Sequence, residues 1–140
     1  MVFTELKNLN RGYMKLDVWQ KAIVLFQLIY RTVFREFPID FKLRSQIIDS
    51  AQSVSANIAE GYCRRSIKEY LQILHIALSS LAETLTSRIG LRETKQISQE
   101  RFTEIDKLRY EIENKLLKLV VRLEGKKDTK SWSGRIKDEG

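Results

Sequence analysis

The stretch Asn57-Ile58-Ala59-Glu60-Gly61, followed by Arg64-Arg65-Ser66 and Glu69-Tyr70, decides how this chain folds. Ahead of it, Ile47, Ile48, Ala51, Val54, Ile58 and Ala59 recur three and four residues apart, which is one face of an amphipathic helix. Gly61 is predicted to end that helix in a left-handed cap, since glycine alone takes positive φ without steric cost. Ser66 then starts the next helix. Its hydroxyl can accept from the Glu69 amide, and the Glu69 carboxylate can reach back to the Ser66 amide, a capping box. The stretch predicts helix, tight basic corner, helix, with Arg64, Arg65 and Lys68 at the corner.

Working outward, Asp17 is the expected N-cap of a first helix over residues 18–37. Val18, Ala22, Leu25, Ile29 and Val33 form one stripe on it, and Trp19, Ile23, Phe26, Tyr30, Phe34 and Phe37 a neighbouring one. Together they exceed the apolar face of an ordinary surface helix. Pro38 stops this helix, because the residue before proline is pushed out of helical space. Asp40 or Ser45 caps the second helix, whose Ser50, Ala51, Ser53, Ser55, Ala56 and Ala59 allow close approach by a neighbour.

The third helix, from Ile67 to about Thr94, places Ile67, Tyr70, Leu71, Leu74, Ala77, Leu78, Leu81 and Leu85 on one face, with Ile73 and Ile76 off it. Ser98 caps a fourth, with Phe102, Ile105, Leu108 or Arg109, Ile112, Leu116, Leu119 and Leu123 near a heptad seam, and Gly125 is expected to end it. No strand pattern or internal repeat occurs. The expected architecture is all-α, an antiparallel up-down-up-down four-helix bundle over residues 17–124. An N-terminal arm (1–16) precedes it and a flexible basic tail (125–140) follows. Surplus apolar surface on the first and third helices points to a homo-oligomer.

Composition narrows the function. The chain has 140 residues, 43% of them apolar and 31% charged, which excludes a disordered polymer. Lys and Arg number 25 against 18 Asp and Glu, a net +7 that favours polyanionic partners such as RNA, DNA or an anionic membrane surface. No apolar run is long enough to span a bilayer. Residues 1–15 lack a signal-peptide pattern, and Cys63, the only cysteine, can form no intrachain disulfide. A cytoplasmic location is expected. His75 is the only histidine, no Cys/His/Asp cluster has metal spacing, and no phosphate loop follows a strand. Cys63 beside two arginines reads as a bystander thiol. The expectation is a non-enzymatic protein without cofactor, metal or small-molecule substrate.

The motifs also resemble a known family. Val18-Trp19-Gln20-Lys21-Ala22, Ser45-Gln46-Ile47, Asn57 to Gly61, Arg65-Ser66, Glu69-Tyr70 and Ser80-Leu81-Ala82-Glu83 are similar to those of the four-helix-bundle proteins encoded in 23S rRNA intervening sequences. The likeness covers about residues 16–124. It departs at Ser55, where the family usually has proline, and at Ser79 and Lys95, where it has glycine. The resemblance implies a homopentameric barrel with a basic surface. It extends to the accessory variability protein of diversity-generating retroelements, which implies RNA or DNA, and a reverse transcriptase, as partners.

Two basic clusters are therefore candidates for nucleic-acid binding: the corner, Arg64, Arg65 and Lys68 with Tyr62 as a stacking ring, and the tail, Lys126, Lys127, Lys130 and Arg135. Each is weighed against a plain solvated charge cluster. The competing function is a protein-interaction scaffold that binds no nucleic acid.

Overall fold

The apolar periodicity becomes four α-helices in a computed structural model that describes residues 12–126: α1 (Asp17–Arg31), α2 (Phe41–Tyr62), α3 (Ile67–Glu93) and α4 (Gln99–Lys126). No strand occurs among the described residues. Helices α1–α2, α2–α3, α3–α4 and α1–α4 are neighbours, so the four close a square. Their directions alternate. Ser53 meets Ser80 while Ser50 meets Thr84, and Asp17 pairs with Lys115 while Thr32 bonds Arg101. Ala22, Leu25 and Ile29 from α1, Ile47, Val54 and Ile58 from α2, Tyr70 and Leu74 from α3, and Ile105, Ile112 and Leu116 from α4 form one core. Burying each large apolar side chain contributes roughly 1.5–3 kcal/mol.

Local chemistry moves several expected boundaries. Leu16, not Asp17, occupies the N-cap of α1, and Asp17 lies in the first turn, where its carboxylate favours the positive end of the helix dipole. Regular α-helix stops at Arg31, short of Phe37, and continues as a wider π turn over Thr32–Glu36. There the Thr32 hydroxyl donates to the Leu28 carbonyl, and the Phe37 amide donates to the Thr32 carbonyl. Leu28 is buried, whereas Tyr30 and Phe34 of the second stripe face solvent. Gly61 is not a left-handed cap: no glycine among the described residues has positive φ, and Gly61 lies buried within α2. On α3 the buried face runs through Thr84 and Arg88 instead of Leu85, which is half-buried. Helix α4 passes through Gly125 to Lys126. The end of the N-terminal arm is a 3-10 turn, Gly12–Lys15, with Tyr13 and Met14 packed on the core.

Side-chain caps fix the starts of α3 and α4, whereas Asp40, at the N-cap of α2, makes no side-chain cap bond. Ser66 accepts from the Glu69 amide at 3.1 Å, and Ser98 accepts from the Arg101 amide at 3.1 Å. The Ser66 bond contributes about 1 kcal/mol; the reciprocal arm of the box, from Ser66 amide to Glu69 carboxylate, does not form.

The C-terminus of α3 ends in a Schellman motif. The Gln96 amide donates to the Leu91 carbonyl at 2.8 Å and the Lys95 amide to the Arg92 carbonyl at 2.9 Å. Lys95 has φ 60°, the left-handed region that favours glycine. Lys95→Gly is therefore expected to stabilise the protein by about 0.5–1 kcal/mol in urea melts, and a loss of stability would show that the lysine side chain outweighs the backbone strain.

Candidate nucleic-acid interface

Alternating helix directions bring the start of α1, the α2–α3 corner and the end of α4 to one end of the bundle. A chain of edge-on rings ties this end together. Tyr13 meets Trp19 at 5.5 Å and Tyr62 at 6.4 Å, and Tyr62 meets Tyr70 at 6.1 Å. Tyr62, the candidate stacking ring, is thus half-buried and engaged on two sides by other aromatics.

At the corner, the Cys63 amide donates to the Ala59 and Glu60 carbonyls and the Arg64 amide to the Gly61 carbonyl, so the turn stays tight. Arg64 folds back onto the Glu60 carboxylate one helical turn earlier. Arg65 and Lys68 are exposed and make no ion pair with any described residue. Lys126, the last residue of α4, belongs to the same end. Lys127, Lys130 and Arg135 lie outside the described residues. The corner and Lys126, far apart in sequence, thereby share one pole.

Three further cations belong to this pole and were not among the sequence candidates: Lys15, before α1, and Lys118 and Arg122, on the last turns of α4. Lys118 and Arg122 line a groove of about 350 Å³ against Leu16, Asp17 and Val18. Lys115, beside them, is held protonated by its hydrogen bond to Asp17, which raises its pKa. The signal that could have found these residues is topological. In an up-down bundle, the last turns of the fourth helix return to the corner between the second and third.

At the opposite end five arginines are paired with acids, while Arg35 and Arg44 lie over aromatic rings. Arg31 and Arg101 pair with Glu36, Arg92 with Glu93, and Arg88 and Arg109 with Asp106. These guanidinium groups are consumed by carboxylates within the fold. Between α2 and α3 an open groove of about 750 Å³ carries Asp49 and Glu83 on its walls, a sign unsuited to phosphate. Hydroxyls line its floor. Ser80 donates to Ser53 at 2.8 Å, the Asn57 amide donates to Ser53 at 2.8 Å, and Thr84 bonds Ser50 at 3.0 Å.

His75 is exposed on α3, and among the described residues no three His, Cys, Asp or Glu side chains are grouped to hold a metal ion. No helix among these residues is long and apolar enough to cross a membrane.

The architecture is that of an all-α, four-helix protein with a cationic pole. The sequence profile of the 23S rRNA-intervening sequence protein family matches residues 14–118, and the chain belongs to that family. A crystal structure from Bacteroides thetaiotaomicron, described as a protein with unknown function from the S23 ribosomal protein family, superposes with a TM-score of 0.69 at 27% identity. The match covers 74% of this chain and 97% of that one. A comparison with curated proteins finds no match.

Proposed function

We propose that the protein is a non-enzymatic, basic, oligomeric scaffold that binds structured RNA, or RNA with a DNA intermediate, through the pole carrying the α2–α3 corner and the end of α4. The observation that carries this reading is the contrast in pairing. Arg65, Lys68, Lys118 and Arg122 make no ion pair among the described residues, whereas at the far end Arg31, Arg88, Arg92, Arg101 and Arg109 are tied to acids and the unpaired Arg35 and Arg44 lie over the rings of Tyr30, Phe34 and Phe41, which leaves Lys42 and Lys95 as the far end's unpaired lysines. Unpaired cations gathered on one surface engage a phosphate backbone with little sequence readout. The family's link to a 23S rRNA element agrees with an RNA ligand. A pentameric ring, the assembly the resemblance implies, would repeat the pole five times. A reverse transcriptase or a ribosomal RNA element is the partner in this reading. A second reading, a protein-interaction scaffold, draws on the exposed aromatic patch of Tyr30, Phe34 and Phe41.

Structured RNA binding, measured at several salt concentrations, tests the first reading. The double substitution Arg65→Gln, Lys68→Gln is expected to weaken binding and to lower the log–log salt slope by roughly 0.7–0.9 per lost phosphate contact. Helicity should stay intact, because neither side chain is buried. Removing residues 127–140 in parallel apportions the rest of the slope between corner and tail. Unchanged affinity and slope in the double variant would remove the corner from the interface.

A further inference from the structure

The far end of the bundle presents rings where the pole presents free cations. Tyr30 and Phe34, one turn apart across the start of the π turn, have centroids 4.9 Å apart and planes 31° apart. Phe26 continues the series, 6.4 Å from Tyr30 and tilted by 36°. Phe41 opens α2 on the other side of Pro38 and is 72% exposed. Arg44, one turn into α2, joins the two groups: its guanidinium lies 5.1 Å from the Phe34 centroid and 5.3 Å from that of Phe41. Arg35 lies over Tyr30 at 5.9 Å. Single exposed rings are ordinary, but Tyr30, Phe34 and Phe41 form a contiguous face with two arginines on it, and the core leaves all three rings in solvent.

We infer that this face stacks the unpaired bases of single-stranded RNA. The inference takes its ligand class from the proposed function but none of its residues. Aromatic rings and guanidinium groups are complementary to the π-face that every base carries. A duplex keeps its bases stacked on one another and has no such face to give, so the ligand here is a loop, a bulge or a strand end. Charge selects a nucleic acid over an apolar protein surface. Residues 30–44 carry Arg31, Arg35, Lys42 and Arg44 against Glu36 and Asp40, and Glu36 is already held by Arg31 and Arg101. An apolar partner would bury Arg35 and Arg44 without a carboxylate to pair them, a desolvation cost that nothing offsets. A second copy laid on the same face would bring these cations against their own kind. An RNA strand supplies a phosphate with each base, so stacking and neutralisation arrive together.

Full-length protein is titrated with three labelled probes: a short oligouridylate, an abasic strand of equal length and charge, and an RNA hairpin duplex. The parent is expected to bind oligouridylate more tightly than the abasic strand. The double substitution Phe34→Leu, Phe41→Leu removes two π-faces while keeping the apolar bulk and every charge. It is expected to weaken oligouridylate binding roughly fivefold or more. Affinity for the abasic strand and the duplex, helicity and sedimentation mass should stay at parental values, since both rings are exposed. A parent that does not distinguish oligouridylate from the abasic strand overturns the inference and leaves the rings to a protein partner. So does a leucine variant that keeps the parent's oligouridylate affinity, or one that loses both strands equally. A change of mass in that variant would assign the face to a contact between copies instead. The duplex probe reads the cationic pole and the difference between the two single strands reads this face, so either can fail alone.

Discussion

Asp106→Ala is expected to lower stability by about 2–3 kcal/mol, whereas Arg88→Met should leave it unchanged or raise it. Arg88 is 1% exposed, the largest fully buried side chain among the described residues. Its guanidinium lies 3.9 Å from the Phe102 ring centroid, donates to the Phe102 carbonyl at 3.0 Å and pairs with Asp106 at 3.0 Å, while its Nε has no partner. Burial pushes the Arg88 pKa down; the nearby Asp106 charge opposes this. Deleting Asp106 strands a buried cation, which typically costs about 3–5 kcal/mol for a fully enclosed pair. The smaller figure here reflects the 43% exposure of the Asp106 side chain, which lets water replace part of the lost interaction. Arg88→Met removes charge and desolvation penalty together and roughly keeps the volume.

The same pair predicts an acid limb. Burial pushes the Asp106 carboxyl up, but hydrogen bonds and charges from Arg109 and Arg88 outweigh it and hold the group below the usual carboxylate range. A folded pKa below the unfolded one means the stabilisation is fully present above roughly pH 3.9 and is lost as pH falls through the folded value. Urea melts of parent and Asp106→Ala should therefore converge in strong acid. A difference that persists undiminished there would assign the loss to packing instead of charge.

The four helices were legible because apolar spacing alone demands them: Ile47 to Ile58, Ile67 to Leu81 and Phe102 to Leu123 leave no alternative face to bury. Arg88 was not legible. A charged residue in a helix reads as solvated until its partner is placed, and Asp106 is eighteen positions away on another helix. The basic corner was legible from Arg64, Arg65 and Lys68, but its extension to Lys118 and Arg122 required the topology. Tyr62 was open to misreading for a related reason. A tyrosine beside arginines suggests stacking, and only the packing of Tyr13 and Tyr70 shows where its ring is engaged. The π turn at Thr32 has no apolar signature; a hydroxyl bonding back one turn and an arginine reaching across from α4 hold it in place.

Gly61→Val is expected to cost about 3 kcal/mol or more, and Gly61→Ala a smaller net loss of up to roughly 2 kcal/mol. A glycine near a helix end suggests positive φ, yet Gly61 is helical, and its role is clearance. A Cβ there would meet Tyr70 Cδ1 at 2.9 Å, Tyr70 Cε1 at 3.2 Å and Ile73 Cβ at 3.3 Å. Tyr70 is fully buried and edge-on to Tyr62, so its ring has no room to retreat. Alanine gains about 1 kcal/mol of helix propensity over glycine, which offsets part of an overpacking penalty of roughly 1–3 kcal/mol. Valine gains less propensity and adds two methyl groups, so nothing offsets its clash. The expected relief is a separation of α2 from α3 at the corner. That movement carries Arg65 and Lys68 with it, so under the proposed RNA-binding function Gly61→Ala should weaken RNA binding although no charge has changed. Urea melts and RNA titrations of the same preparation check both effects. If Gly61→Ala is as stable as the parent, Tyr70 moves freely and the close approach is not what holds the corner. If it is destabilised yet binds RNA with the parent's affinity, the geometry of Arg65 and Lys68 does not matter to the ligand.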